Sequence, residues 1–215
     1  MTKKIISIVL KSIVVVAVIV GLVLYMVEGV SHLLFFTLQS NIWIGVTCIV
    51  GLALMIAKVR LTRWMYVVKF IFTVSITLTG VVYCTMLAPF LGNDAFTLAS
   101  TLLHVIVPVA SVADFLVYDC AGKYKWLDCL LATVPPFYYL AFAGVGFALN
   151  GDFMEGNNYP YFFLDWGSPA GAFGFSKQSP YIGVFYYVLI LLAFVIGIGA
   201  LYVWLAKVIN KRTAK

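Results

Sequence analysis

The chain has 215 residues, of which 64% are hydrophobic and 10% charged, with a mean hydropathy of +1.07; an ordinary soluble domain is about a quarter charged. Its apolar residues arrive in uninterrupted blocks of about twenty, the length that crosses a hydrocarbon core of roughly 30 Å. This excludes a soluble enzyme, a disordered chain and an outer-membrane barrel, whose strands alternate apolar and polar residues. The formal net charge of +6 points to loop topology and calls for no nucleic-acid partner.

Six spans follow in chain order, forming one all-α domain over residues 1–215. The first runs from Ile5 to Val27. Lys3 and Lys4 precede it, but it is longer than a signal-peptide core and has no small-residue cleavage site, so it reads as a retained helix. The second, Leu33 to Ala57, opens on the unusually polar run Phe35-Phe36-Thr37-Leu38-Gln39-Ser40-Asn41. Thr37 and Asn41, four apart, share a face with Ser40 beside them. Two readings fit that run: a cap for the helix start, or reactive groups placed in the membrane. In the third span, Trp64 to Leu87, residues Thr73, Thr77, Gly80 and Cys84 form a small, weakly polar face suited to close packing.

The fourth span, Phe96 to Tyr118, carries Thr97, Thr101, His104, Pro108 and Ser111 on one helical face. His104 is the only histidine inside a span, roughly 12 Å below the helix start at about 1.5 Å per residue. An imidazole there either packs against a neighbouring helix or moves protons. Asp114 lies ten residues on, about 15 Å further along the axis. It is too far to orient His104, and Lys11, at similar depth in the first span, is its expected partner.

In the fifth span, Trp126 to Leu149, Pro135 and Pro136 are expected to interrupt the helix near its middle, either kinking it or opening a binding site. The connection from Asn150 to Pro180 is rich in Gly, Pro, Phe, Tyr and Trp. Its aromatic run Tyr159, Tyr161, Phe162, Phe163 and Trp166 is unlike a solvated linker. It predicts a segment packed at the headgroups or folded back as a lid over the helices. The sixth span runs from Tyr181 to Val208.

With these spans, Lys3, Lys4, Lys11, Lys58, Arg60, Arg63, Lys69, Lys123, Lys125, Lys207, Lys211, Arg212 and Lys215 fall on one side and Lys177 alone on the other. That asymmetry predicts cytoplasmic termini and an outward-facing aromatic loop, with contacts to anionic lipid on the inner side. Cys48, Cys120 and Cys129 lie toward the inner side and Cys84 toward the outer, so no exoplasmic disulfide is expected. No CxxC pair or cysteine–histidine cluster calls for a metal.

Three stretches together, Phe36-Thr37-Leu38-Gln39-Ser40-Asn41, Leu103-His104-Val105-Ile106-Val107-Pro108 with Asp114 beyond, and Tyr159-Pro160-Tyr161-Phe162-Phe163-Leu164-Asp165, resemble a known family. It is the bacterial branch of the family of the androgen-induced protein and the androgen-dependent TFPI-regulating protein. The likeness extends over nearly the whole chain. It implies an integral-membrane hydrolase of fatty acid esters of hydroxy fatty acids, without a cofactor, working on lipid in a prokaryotic plasma membrane. By motif match Thr37 is the nucleophile and His104 the histidine base, in the outer half of the bilayer. Asn41, Ser40 and Gln39 are the nearby candidates to hold the oxyanion or orient substrate, and Asp165 or Tyr161 from the loop to orient His104.

Readings from other classes compete. A small-molecule or ion transporter or channel fits the proline-broken fifth span and the charges Asp114 and Lys11, but no internal repeat is visible and charges are scarce at mid-membrane. A b-type haem needs facing histidines, whereas His32 and His104 lie at different depths. An inactive membrane scaffold is a further reading.

Overall fold

A segment without polar side chains can satisfy its backbone in lipid only by bonding to itself, which makes helices. The computed structural model describes residues 2–153 and 156–213; Lys215, counted above among the basic residues, lies outside them. Among the described residues six helices are long and apolar enough to cross a membrane: α1 Thr2–Glu28, α2 Phe36–Ile56, α3 Arg63–Leu91, α4 Leu98–Val117, α5 Asp128–Ala148 and α6 Val184–Arg212. No strand occurs among them; Phe175 and Ile182 form an isolated antiparallel bridge. The predicted spans correspond one to one, the largest offsets being the later ends of α3 at Leu91 and α6 at Arg212.

The burial pattern explains the packing. On α1, Ser7, Lys11, Val14, Val18 and Gly21 face inward, while Ile5, Val9, Val16, Val20 and Val23 are exposed. An apolar outer face and a partly polar inner one is the arrangement lipid favours. α1 packs on α2 and α4, α3 packs on α2, α4 and α6, and α6 also packs on the start of α5. One core joins Val14, Val18, Ile44, Ile76, Leu103 and Val107; a second joins Val67, Phe70, Phe115, Tyr124, Tyr202 and Val203.

Polar contacts sort the loops to two ends. Lys4 Nζ donates to the Met55 carbonyl at 3.0 Å, one guanidinium nitrogen of Arg63 meets both Asp128 oxygens at 2.6 and 2.8 Å, and Asn210 Nδ2 donates to the Cys120 carbonyl at 2.8 Å. Both described chain ends and the α2–α3 and α4–α5 connections therefore share one end, here the basic end. The opposite end holds the connections between α1 and α2, α3 and α4, and α5 and α6. The last folds back on the helices: Phe163 and Leu164 are buried, and Tyr161 and Phe162 meet Phe35 and Phe90 at ring-centroid distances of 5.5 and 5.7 Å.

Two expectations are corrected. α5 does not break at its middle: the chain turns at Ala132 and Thr133, and Pro135 and Pro136 lie in the first turn of the longer piece, Val134–Ala148. A missing N–H costs nothing in a first turn, where that group has no helical partner. Lys69, grouped by sequence with the basic turn, is instead buried within α3 at 6% exposure, its ammonium 3.2 Å from the Cys48 sulfur and 3.5 Å from Asp114.

Small residues set the closest approaches. A Cβ on Gly80 would stand 3.0 Å from both the His104 carbonyl and the Pro108 side chain, so α3 and α4 touch there almost backbone to backbone. Gly80→Val is expected to lower stability by about 1–3 kcal/mol through overpacking. Unfolding in detergent micelles measures this, and a variant as stable as the parent would show the contact to be slack.

Candidate functional site

Two local departures from α-helix build the site. α3 contains a π turn at Tyr83–Leu87 and α4 another at Leu102–Ile106. In α4 the cause is Pro108: it has no N–H for the carbonyl of His104, four residues earlier, and its ring crowds that carbonyl. π turns rotate side chains out of the regular register and recur at functional sites. Here they bring Tyr83 and His104 face to face, rings stacked with centroids 3.5 Å apart and planes 17° from parallel. The Tyr83 hydroxyl donates to the Ala95 carbonyl, which fixes the ring.

His104 is buried at 5% exposure, with Nδ1 2.9 Å from the Ser100 carbonyl. A carbonyl can only accept, so Nδ1 carries the proton of the neutral ring and Nε2 is left as the basic nitrogen.

Thr37 lies in the first turn of α2, 8% exposed, and lines an apolar cavity of about 80 Å³ with Phe36, Thr79, Tyr83, Tyr139, Tyr161 and Phe163. Tyr161 reaches it from the α5–α6 connection. The Thr37 N–H donates to the Tyr161 hydroxyl at 3.4 Å. Burial pushes the Tyr161 phenol up from its ordinary range, with the bonds to Thr37 pulling the other way, so it is a neutral donor at working pH.

The structure thus brings Thr37 and Tyr161 together. Among the described residues no hydrogen bond joins Thr37 to His104; Tyr83 stands between, lining the cavity on one side and stacked on the imidazole on the other. Asn41 ties the two helices: its Nδ2 donates to the carbonyls of Thr37 at 2.8 Å and Leu103 at 3.3 Å. Both amide hydrogens are thereby used and point to backbone, while Oδ1 is buried with no hydrogen-bond partner among the described residues. Ser40 donates to the Thr37 carbonyl at 3.0 Å and meets the Thr79 hydroxyl at 2.8 Å. Gln39 donates to the Leu33 carbonyl at 3.4 Å and does not line the cavity. Asp165 accepts from the Gly167 N–H at 2.9 Å, closing its own turn, and is not bonded to His104.

Sequence reasoning missed Tyr83 and Thr79. The signal was present, since Ser75, Thr79 and Tyr83 recur every four residues on α3. It also missed the size of a charged cluster toward the basic end. Lys11 meets Asp114 at 2.7 Å, the expected pair, and Asp119 at 3.2 Å; Ser7 donates to Asp114 at 2.6 Å, and Lys69 lies 3.5 Å from it. Beyond the end of α4, burial pushes the Asp119 carboxyl up to about 6, against the pull of Lys11.

Comparison with known protein families, curated proteins and solved structures finds no match for this chain.

Proposed function

We propose that this protein is an intramembrane lipid ester hydrolase, with Thr37 as nucleophile, His104 as base, and fatty acid esters of hydroxy fatty acids as the substrate class. The observation that carries the reading is a hydroxyl lining an apolar cavity that is also lined by Tyr83, whose ring stacks on the imidazole of His104. An ester of two apolar chains reaches such a cavity from the bilayer, where a water-soluble substrate cannot.

In the proposed reaction the Thr37 oxygen attacks the ester carbonyl while its proton passes to Nε2 of His104. Tyr83 screens the ring, so the transfer requires that tyrosine to move aside or a water to bridge the gap. The carbonyl oxygen becomes an oxyanion, and Tyr161, whose hydroxyl already meets Thr37, is the donor best placed to receive it. The hydroxy-acid alkoxide leaves with the proton held by His104. Water then attacks the threonyl ester, His104 taking its proton and returning it to the Thr37 oxygen as the C–O bond breaks, which releases the fatty acid and restores the threonine.

Both termini are assigned to the cytoplasm from the distribution of Lys and Arg, in a prokaryotic plasma membrane. The site then lies beneath the outer headgroups, where water for deacylation is near. The α5–α6 connection acts as its lid, and no cofactor takes part.

The test is labelling of the purified protein with a fluorophosphonate probe, followed by peptide mapping. The expected result is one adduct on Thr37, with labelling at least about a hundredfold slower in His104→Ala. An adduct on another residue, or equal labelling in His104→Ala, would overturn the assignment.

A further inference from the structure

A second cavity, of about 460 Å³, lies between α2 and α3 toward the basic end, away from the Thr37 chamber. Val46, Val50 and Trp64 at its rim are 53%, 50% and 63% exposed, so it opens laterally where lipid chains run. Lys11, Lys69 and Asp119 line its inner end.

The two ammonium groups there are not equivalent. Lys11 is fully engaged, by Ser7 at 2.9 Å, Asp114 at 2.7 Å and Asp119 at 3.2 Å. Lys69, equally buried, has among the described residues only the Cys48 sulfur at 3.2 Å and Asp114 at 3.5 Å. A thiol is a weak acceptor, and a charge-assisted bond to a carboxylate is normally about 2.7–2.9 Å. Asp114 is already taken by Lys11 and Ser7. Lys69 is therefore a buried cation with unused donors at the wall of an apolar cavity, an arrangement that is costly until an acceptor arrives.

We infer that this cavity binds a single-chain fatty acid, its carboxylate on Lys69 and its chain between α2 and α3. Charge and lining select that occupant. Lys11, Lys69, Asp114 and Asp119 balance in charge, but the Lys69 ammonium is the loosely held one, 3.5 Å from Asp114, so a carboxyl group arriving along the cavity has a donor to meet. The cavity, about 460 Å³ and lined by Val46, Val50, Leu54, Met65 and Val68 beside Lys69, offers an apolar bed for an acyl chain. Lys69 also lies six residues into α3, about 9 Å along the helix from its start. The inference stands apart from the hydrolase proposal, because it is tested by binding alone.

The experiment is equilibrium binding of radiolabelled palmitate to the whole protein in phosphatidylcholine nanodiscs. Saturable binding is expected, competed by unlabelled palmitate and not by methyl palmitate, weakened at least tenfold in Lys69→Met and unchanged in Thr37→Ala. Val50→Trp, which fills the cavity from its lipid-exposed rim and spares the charged cluster, is expected to weaken binding as much, so the test survives if Lys69→Met does not fold. Unchanged binding in Val50→Trp, equal competition by methyl palmitate, loss of binding in Thr37→Ala, or displacement of palmitate by a modest fraction of phosphatidylglycerol in the nanodisc would each overturn the inference.

Discussion

Thr37→Ala is expected to reduce ester hydrolysis by about a hundredfold or more while leaving the protein folded, since a nucleophile and its base act as a unit whose loss removes most of the rate. The measurement is turnover of a fatty acid ester of a hydroxy fatty acid by purified protein in lipid nanodiscs. Thr37→Ser, which keeps the hydroxyl and loses a methyl, should retain substantial activity. The contrast separates chemistry from packing: both variants lose the methyl contact in the cavity, and only alanine loses the oxygen. The substitution is structurally mild, because the Thr37 backbone groups that Ser40, Asn41 and Tyr161 engage remain in place. Parent-like turnover in folded Thr37→Ala would remove this residue from the mechanism.

Asp114→Ala is expected to be the most destabilising single substitution in the chain, at about 3–5 kcal/mol. Asp114 is fully buried and accepts from Ser7 and Lys11, with Lys69 nearby. Removing its carboxylate leaves two buried ammonium groups facing Asp119 alone. The double substitution Lys11→Met with Asp114→Leu removes one charge of each sign and is expected to recover most of the loss, because a buried pair replaced by apolar groups is often neutral. Denaturant unfolding in micelles, run as a double-mutant cycle, checks this. Additive losses would mean that the two side chains are not energetically coupled.

The cluster shows how far local pattern reaches. Lys11 and Asp114 were legible as a pair because each is an isolated charge within an apolar block, and their depths match when the spans are laid antiparallel. Lys69 and Asp119 were not, since each lies near a run of surface charges and polar turn residues that looks like its proper company. What draws them inside is the convergence of α1, α3 and α4, which no single segment encodes. Thr37 and His104 stood out by the same logic as Lys11, as polar groups where lipid is expected. Tyr83 did not, because a tyrosine near a helix end is common in membrane proteins and its role arises from stacking on a residue of another helix.

Composition and block length alone determined that this is a six-helix membrane protein and which polar side chains lie within its spans, because hydrocarbon imposes the same length and apolarity on every crossing segment. Which of those side chains meet was decided only by tertiary structure. The approach of α3 to α4 at Gly80, the π turns at Tyr83–Leu87 and Leu102–Ile106, and the folding back of Tyr161 over Thr37 each depend on shape fit between distant parts of the chain. Hydrophobicity is blind to that fit.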